Sequence, residues 1–519
     1  MIDTAALREK VLDLAIRGKL VPQDPNDEPA SVLLERIHEQ KLQMVREGKL
    51  KAKDVKDDTI IFKGDDNCYY EKYSDGSVKN IQDEIPFELP DTWIWVRLGV
   101  IFSHNTGKAL KTSNTIGKKL TYITTSNLYW NSFVVESLKE MYFTESEIEK
   151  YTIRKGDLLV CEGGDIGRAA IWTFDYDMRI QNHIHKLRAY YPIETKLYYY
   201  TFYYYKLIGK INGNGIGIQG LSSNVLHNLI VPLPPIQEQT RITAAVNKCF
   251  LTADIIDENE KILQTDIEEL KSKILELAIQ GKLVPQDEND EPASVLLERI
   301  RAERKTKLGK KYVESYIYKG DDNCYYEKIG SETKNITDEI PFDIPDSWCF
   351  IRLKELIKII SGVSYDKRDI CYDGIRILRG GNIGELTIQL QQDDVFLPHK
   401  YFDEEKQIKN GDIIIVASTG SKIAIGRAGF VEKDYPNTQI GAFLRIIRPI
   451  NIDFTDYLKC LFSTDYYREH IRESVHGNTI NNVKSEYLEN FIIPLPPVAE
   501  QKRVIQQTKR ILALLKDGV

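Results

Sequence analysis

Residues 103–120, SHNTGKALKTSNTIGKKL, set Lys108, Lys111, Lys118 and Lys119 among Ser113, Asn114 and Thr115. Cations suit phosphates and short polar side chains suit base edges, so the stretch reads as a candidate nucleic-acid contact, with a solvated loop as the alternative. SGVSYDKRD (361–369) occupies the matching place in the second half of the chain with Tyr365, Lys367 and Arg368. Thr124, Ser126 and Asn127, and their counterparts Arg379 and Asn382, each follow an apolar run that predicts a strand. At a strand end such side chains can enter a major groove. The Arg379 fork suits guanine, or equally a neighbouring carboxylate. Arg168 in GDIGRA and Arg427 in AIGRA recur in like turns of small residues, which predicts a shared structural or phosphate role rather than base reading. Ser418, Thr419 and Lys422 of STGSK add hydroxyls and a cation.

Other chemistries fare worse. Gly117-Lys-Lys-Leu lacks the upstream glycine and the Ser or Thr of a phosphate-binding loop. No (N/D)PP(Y/F) segment, the motif of the adenine pocket in amino-methyltransferases, is present. His183-x-His185 would put two imidazoles on one strand face, but no third ligand is suitably spaced, so a strand-surface or DNA-facing role is the better reading. Glu162 and Asp165 form a carboxylate pair without a following Glu-x-Lys and read as ordinary loop acids. The seven cysteines include no CxxC pair, which argues against a zinc module or a disulfide framework.

The elements that must carry these residues are organised around residues 237–277. From Ile242, alternating steps of four and three land on Val246, Cys249, Ala253, Ile256, Glu260, Leu263, Ile267, Leu270, Ile274 and Leu277, and only Glu260 breaks the apolar seam. This is a coiled-coil rod of about 60 Å. Pro-Leu-Pro-Pro marks its start and Gly281 its stop. Its partner is split between the termini. Residues 492–515 repeat the PLPP entry and supply Val504, Thr508, Ile511 and Leu515, while 7–37 match 270–300 at an offset of 263 and supply Leu7, Val11 and Leu14. The duplication extends to the arms: KGDDNCYYEK occurs at 63–72 and 319–328, and DEIPFELPDTWIWVRL (83–98) recurs as DEIPFDIPDSWCFIRL (338–353). Each copy leads into an insert that is much less alike, a mixed domain of short strands with a few helices, among them 196–208. Residues 46–60, rich in Lys and Asp, read as a solvated segment. Of the formal net charge of −7, residues 93–235 carry +5 and 348–497 carry −1, so the acid sits in the repeated arms and rods.

These landmarks resemble the specificity subunits of Type I restriction-modification systems. The resemblance spans nearly the whole chain: two variable inserts, each closed by PLPP-x-x-EQ-x-x-(I/V), with Gly-Asp-(I/L)-(I/L) and Ile-Gly-Arg inside each. It implies an α+β fold in which two mixed α/β target recognition domains are separated by long helices forming an antiparallel coiled coil, a pseudo-two-fold tandem repeat. The expected layout is a helical region at 1–60 and a first recognition domain with its lead-in hairpin at 61–235. The central helix and arm follow at 236–310, the second recognition domain at 311–497 and a terminal helix at 498–519. Each recognition domain would read one half of a bipartite site in double-stranded DNA. The helices would space them and dock two methyltransferase (M) and two restriction or translocase (R) subunits. The chain itself would be noncatalytic and hold no cofactor, with S-adenosylmethionine, ATP and magnesium on the partners. No run of eighteen apolar residues and no signal-like N-terminus is present, so a cytoplasmic protein without membrane contact is expected. The alternative is a noncatalytic coiled-coil scaffold with two divergent protein- or glycan-binding inserts.

Overall fold

Each insert is closed by a strand pair whose geometry follows from the prolines. Ile230–Leu233 pairs antiparallel with Ile94–Arg97, and Ile492–Leu495 with Cys349–Arg352. The two prolines that follow have no N–H for a ladder, so the strand stops and a helix starts. Gln239 anchors the turn by donating its side-chain amide to the Pro234 carbonyl at 2.9 Å, and Gln501 does the same to Pro496 at 2.9 Å. The computed structural model describes residues 2–110, 115–211, 221–309, 312–473 and 481–517; Lys111, Ser113 and Asn114 lie outside the described residues. The chain divides into two units, Met1–Lys261 and Ile262–Val519.

The helix Ile236–Ile279 has 44 residues, about 66 Å at 1.5 Å each. Gly281, at φ +70°, ends it, and a Cβ there would fall 2.6 Å from Pro345 Cγ. Gly18 holds the equivalent place at φ +69° with Pro90 Cγ 2.5 Å away, so the Gly-Lys-Leu repeat is required on two counts in each copy. Along the helix Val246, Ala253, Ile267 and Ile274 are buried at steps of seven, whereas Leu263 and Leu270 are 49% and 47% exposed. The expected seam is thus covered on one row only through its middle. In the first unit the N-terminal helix Thr4–Ile16 meets the central helix through polar groups. Arg8 reaches Asp254 at 2.6 Å and Asp257 at 2.8 Å, and the Thr4 hydroxyl donates to Asp257 at 2.5 Å. Its apolar face, Val11, Leu12, Ala15 and Ile16, is buried in the core of the insert. Leu7 is exposed and Leu14 half-buried, so neither supplies the expected seam. In the second unit the helix Val498–Asp517 buries Val504 against Ala278 and Cys460.

The repeated arms fold alike. Strands Ile60–Lys63, Tyr69–Lys72 and Val78–Asn80 form one three-stranded sheet, and Ser315–Lys319, Tyr325–Ile329 and Glu332–Asn335 the other. Arg97 clamps the first to its insert through Glu71 at 2.6 Å and Glu84 at 2.8 Å; Arg352 repeats this with Glu327 at 2.6 Å and Glu339 at 2.9 Å. Residues 46–60 are more ordered than their composition predicts. Ala52–Lys56 is a helix, Val55 is buried, and the buried Lys41 pairs with Asp58 at 2.5 Å, an ion pair that offsets the desolvation of both groups.

In the first insert one sheet runs Ala169–Ile171, Leu158–Cys161, Ile184–Ala189, Phe102–Thr106, all antiparallel. The other runs Thr152–Ile153, Met178–Ile180, Lys118–Ile123, Lys139–Phe143. The second insert repeats the first sheet as Ile357–Ser361, Leu444–Pro449, Ile413–Val416, Ala428–Phe430, and shortens the other to Val395–Leu397, Ile375–Leu378, Thr438–Ile440. The helix Thr195–Leu207 backs the first insert with Tyr198, Tyr204 and Tyr205 buried. Two helices, Thr455–Phe462 and Asp465–Glu473, back the second. No helix among the described residues is long and apolar enough to cross a membrane.

Candidate nucleic-acid interface

One strand pair in each insert is parallel, and parallel strands deliver their carboxyl ends to the same edge. In the first insert Met178–Ile180 lies beside Lys118–Ile123, with Ile180 opposite Ile123. The chain leaves both strands together, and the Gln181 N–H donates to the Ile123 carbonyl at 3.0 Å. A third segment joins them: the Lys108 N–H donates to Ile180 O at 2.9 Å and the Asn182 N–H to Lys108 O at 2.8 Å. Gly107 permits that approach, since a Cβ on it would lie 2.1 Å from Gln181 O. The second insert rebuilds this junction from different residues. Thr438–Ile440 runs parallel to Ile375–Leu378, the Gly441 N–H donates to Leu378 O at 2.9 Å and the Val363 N–H to Ile440 O at 2.8 Å, and a Cβ on Gly362 would lie 2.1 Å from Gly441 O. Three segments therefore converge at one sheet edge in each unit: 106–108, 124–127 and 181–183 in the first, 362–363, 379–382 and 441–443 in the second.

Several residues expected to read bases instead build this edge. The Asn127 side-chain oxygen accepts from the Thr124 N–H at 2.9 Å, and its amide donates to Val134 O at 3.0 Å. Asn382 does the same with the Arg379 N–H at 2.7 Å and Gln389 O at 3.0 Å, and adds Asp394 at 2.5 Å. At 1% exposure Asn382 has no surface for DNA; its hydrogen bonds are all consumed in shaping the turn. Thr124 is buried too, its hydroxyl 2.7 Å from that of Ser126, which is exposed. Arg168 donates to Thr125 O at 2.6 Å and Arg427 to Gly380 O at 3.0 Å, so the matching arginines pin matching turns. Lys108 is buried with its ammonium on Glu147 at 2.6 Å and on Tyr142 O at 2.7 Å. Its expected place on the DNA-facing surface is therefore corrected: it ties the third segment to the neighbouring strand.

Other candidates do face solvent. Thr115, Lys118 and Lys119 are exposed, and Glu140, 3.0 Å from the Lys119 ammonium, pushes its pKa up. Arg379 is half-exposed and donates to the Asp393 carbonyl at 2.9 Å and its carboxylate at 3.3 Å, the carboxylate-supporting alternative. Lys367 and Arg368 are exposed, the latter held by Asp366 at 2.7 Å, while Tyr365 packs half-buried beside Val363. Ser418 and Thr419 form a short strand paired with Asn481–Asn482, and Lys422 is exposed in the loop that follows.

The two histidines do not share a face. His183 sits in the turn before the strand at φ +72°, exposed, with Nδ1 3.2 Å from Glu162. His185 is fully buried. Its Nε2 is 2.7 Å from the Leu221 carbonyl, which only accepts, so Nε2 carries the proton and Nδ1 accepts from His104 Nε2 at 2.7 Å. Burial, with His185 beside it, pushes His104 down to about 4. Asp165 is taken up by Lys206 at 2.9 Å. Among the described residues no group of three or more His, Cys, Asp or Glu is placed to hold a metal ion. Sequence reasoning did not single out Phe443, which stands exposed where segment 441–443 ends in the second insert; an aromatic residue inside a strand-forming run carries no signal that it points outward.

Comparison with known proteins bears on this geometry. A model described as the Type I restriction modification DNA specificity domain matches residues 90–264 and 345–514. The specificity subunit of the Escherichia coli Type I restriction enzyme EcoAI is 26% identical over 98% of this chain and 88% of its own length. That of EcoEI, also from Escherichia coli, is 26% identical over 96% and 87%. Among solved structures, the HsdS subunit from Thermoanaerobacter tengcongensis superposes with a TM-score of 0.48 at 19% identity, covering 83% of this chain and 93% of that one.

Proposed function

We propose, from the premise that the chain belongs to the Type I restriction modification DNA specificity family, with two tandem specificity domains, that each insert reads one half of a bipartite DNA site. The chain is a noncatalytic specificity subunit of a Type I restriction-modification system and works with DNA and with M and R subunits. The observation that supports the finer reading is the edge built twice from unlike sequences: three segments converge, Arg168 or Arg427 pins the polar turn, and Ser126 and His183 in one unit and Phe443 in the other stand exposed on those segments. A frame kept constant while the outward side chains vary is what modular base reading needs, because contacts to base edges specify sequence and contacts to phosphates only position.

The repeated arms and helices, which carry the acidic excess, are the docking surfaces for two M and two R subunits in this reading. S-adenosylmethionine, ATP and magnesium reside on those partners. The test is the host methylome with the native chain and with residues 93–235 replaced by the corresponding insert of a relative. One half of the methylated sequence is expected to change and the other to persist; a change in both halves, or in neither, refutes modular reading.

A further inference from the structure

We propose that the segment leaving the parallel strand, 181–183 in the first unit and 441–443 in the second, carries one specificity-determining side chain per half-site, at His183 and at Phe443, and that Phe443 reads a thymine through its 5-methyl group. This rests on the reading of the inserts as half-site readers. The two residues occupy the same place in the fold. His183 O accepts from the Glu162 N–H at 2.8 Å, and Phe443 O accepts from the Ala417 and Ser418 N–H groups at 2.8 and 3.0 Å. Both side chains are exposed, by 59% and 67%.

Phe443 is not on a loose loop. Gly441 and Leu444 beside it are buried, Gly441 is bonded to Leu378 and Leu444 to Gly441, each at 2.9 Å, so a rigid frame holds a phenyl ring in water. The Phe443 backbone is bonded to that of Ser418, and Thr419 and the exposed Lys422 follow in the chain. A protein interface would surround such a ring with further apolar area at its core. A phenyl ring held out beside a loop that carries hydroxyls and a cation fits the major groove, where the 5-methyl of thymine is the one apolar feature of a base edge. His183 offers different chemistry at the equivalent point: Glu162 lies 3.2 Å from Nδ1 and the Asn182 amide 3.2 Å from Nε2, a polar set suited to hydrogen-bonding a base. Ile423, 79% exposed next to Lys422 in the chain, is a second exposed apolar side chain and serves as a control.

The experiment uses the complex of the full chain with its methyltransferase partner and a duplex bearing the methylated sequence determined from the host. Each thymine of the second half-site is replaced in turn by uracil, which removes only the 5-methyl. At one thymine the native complex is expected to lose about fourfold in affinity, the worth of one buried methyl. Phe443→Ala loses a similar factor on the normal duplex and nothing more on that uracil duplex. Ile423→Ala keeps the native response to uracil. In the methylome, Phe443→Ala relaxes one position of the second half and His183→Ala one position of the first. The inference is overturned if the second half-site contains no thymine, if Phe443→Ala responds to uracil as the native chain does, or if Phe443→Ala loses the methyltransferase partner instead. Exchange of the whole insert tests the underlying reading separately: a half-site that changes with the insert but not with Phe443 rejects only the present inference.

Discussion

Replacing Arg427 separates a pin from a phosphate contact. Its guanidinium donates to Gly380 O at 3.0 Å and holds the turn that presents Arg379. A hydrogen bond from a charged donor contributes about 1.5–3 kcal/mol. Gly380 is partly exposed, so water replaces the lost donor and the lower part of that range, about 1.5–2 kcal/mol, applies. If the loss falls on the ordered turn that DNA selects, specific affinity drops roughly 10- to 30-fold in Arg427→Ala. Affinity for unrelated DNA stays as it was. The slope of log K against log salt is also unchanged, because no phosphate has lost its cation. A true phosphate contact would instead remove about 0.9 from that slope and weaken all sequences alike, as we expect for the exposed Lys118→Ala. Arg427→Lys adds a second reading: a point cation restores a phosphate contact but lacks the fork and reach of the pin. Fluorescence anisotropy of the assembled complex, on specific and unrelated duplexes from low to high salt, measures all three quantities. A shallower slope for Arg427→Ala, with equal loss on both duplexes and recovery in Arg427→Lys, would refute the pin.

Three further outcomes follow from the packing. Glu238 accepts from the Trp93 indole at 2.9 Å and from the Gln23 amide at 2.5 Å, and Glu500 repeats this with Trp348 at 2.9 Å and Gln286 at 2.5 Å. Glu238→Ala leaves a buried indole N–H without an acceptor and is expected to destabilise the first unit by ~1–3 kcal/mol in urea unfolding, with Glu500→Ala giving a like loss in the second. His104 binds fewer protons folded than unfolded between its folded value of about 4 and its ordinary 6.5, so it contributes stability that is present above pH 6.5 and lost as pH falls towards 4. The melting temperature is expected to decline between pH 7 and 5 less steeply in His104→Gln than in the native chain. Seven residues inserted after Glu260 add about 10 Å to the central helix and keep the row of Val246, Ala253, Ile267 and Ile274 in phase. The methylated motif should keep both half-sites with a longer spacer, or the complex should lose activity; full activity at the native spacer would show that the helix does not set the distance.

The repeats made the scaffold legible. PLPP, the Gly-Lys-Leu stop and the paired arm sequences each have a local physical cause: missing amide donors, a left-handed glycine under a proline, an arginine between two glutamates. The middle of the rod was less legible. Heptad spacing marks which residues share a face, but not whether anything covers it, and Leu263 and Leu270 satisfy the period while standing in solvent. Residues 46–60 failed for a related reason, since composition could not reveal that Asp58 would neutralise a buried Lys41.

The polar turns after the strands were legible, but not what their side chains do. Asn127 and Asn382, expected to reach base edges, turn inward to shape the edge, while Arg168 and Arg427, expected in a structural or phosphate role, donate to the carbonyls of its turns. The cause is the short-range habit of Asn: its amide satisfies a backbone N–H three residues back and a carbonyl further on, and a site that must present side chains needs such turns first. Lys108 shows the same bias at longer range, because its partner Glu147 lies 39 residues away and only the fold brings them together. A lysine-rich stretch therefore mixes structural and contact residues that composition cannot sort. Conversely, His183 reads as part of a strand and Phe443 carries no signal, and it is the turn ending the parallel pair that holds them out. The division of labour follows: residues with hydrogen bonds to spend inside set the frame, and the side chains left outside on that frame are free to differ between the two half-sites.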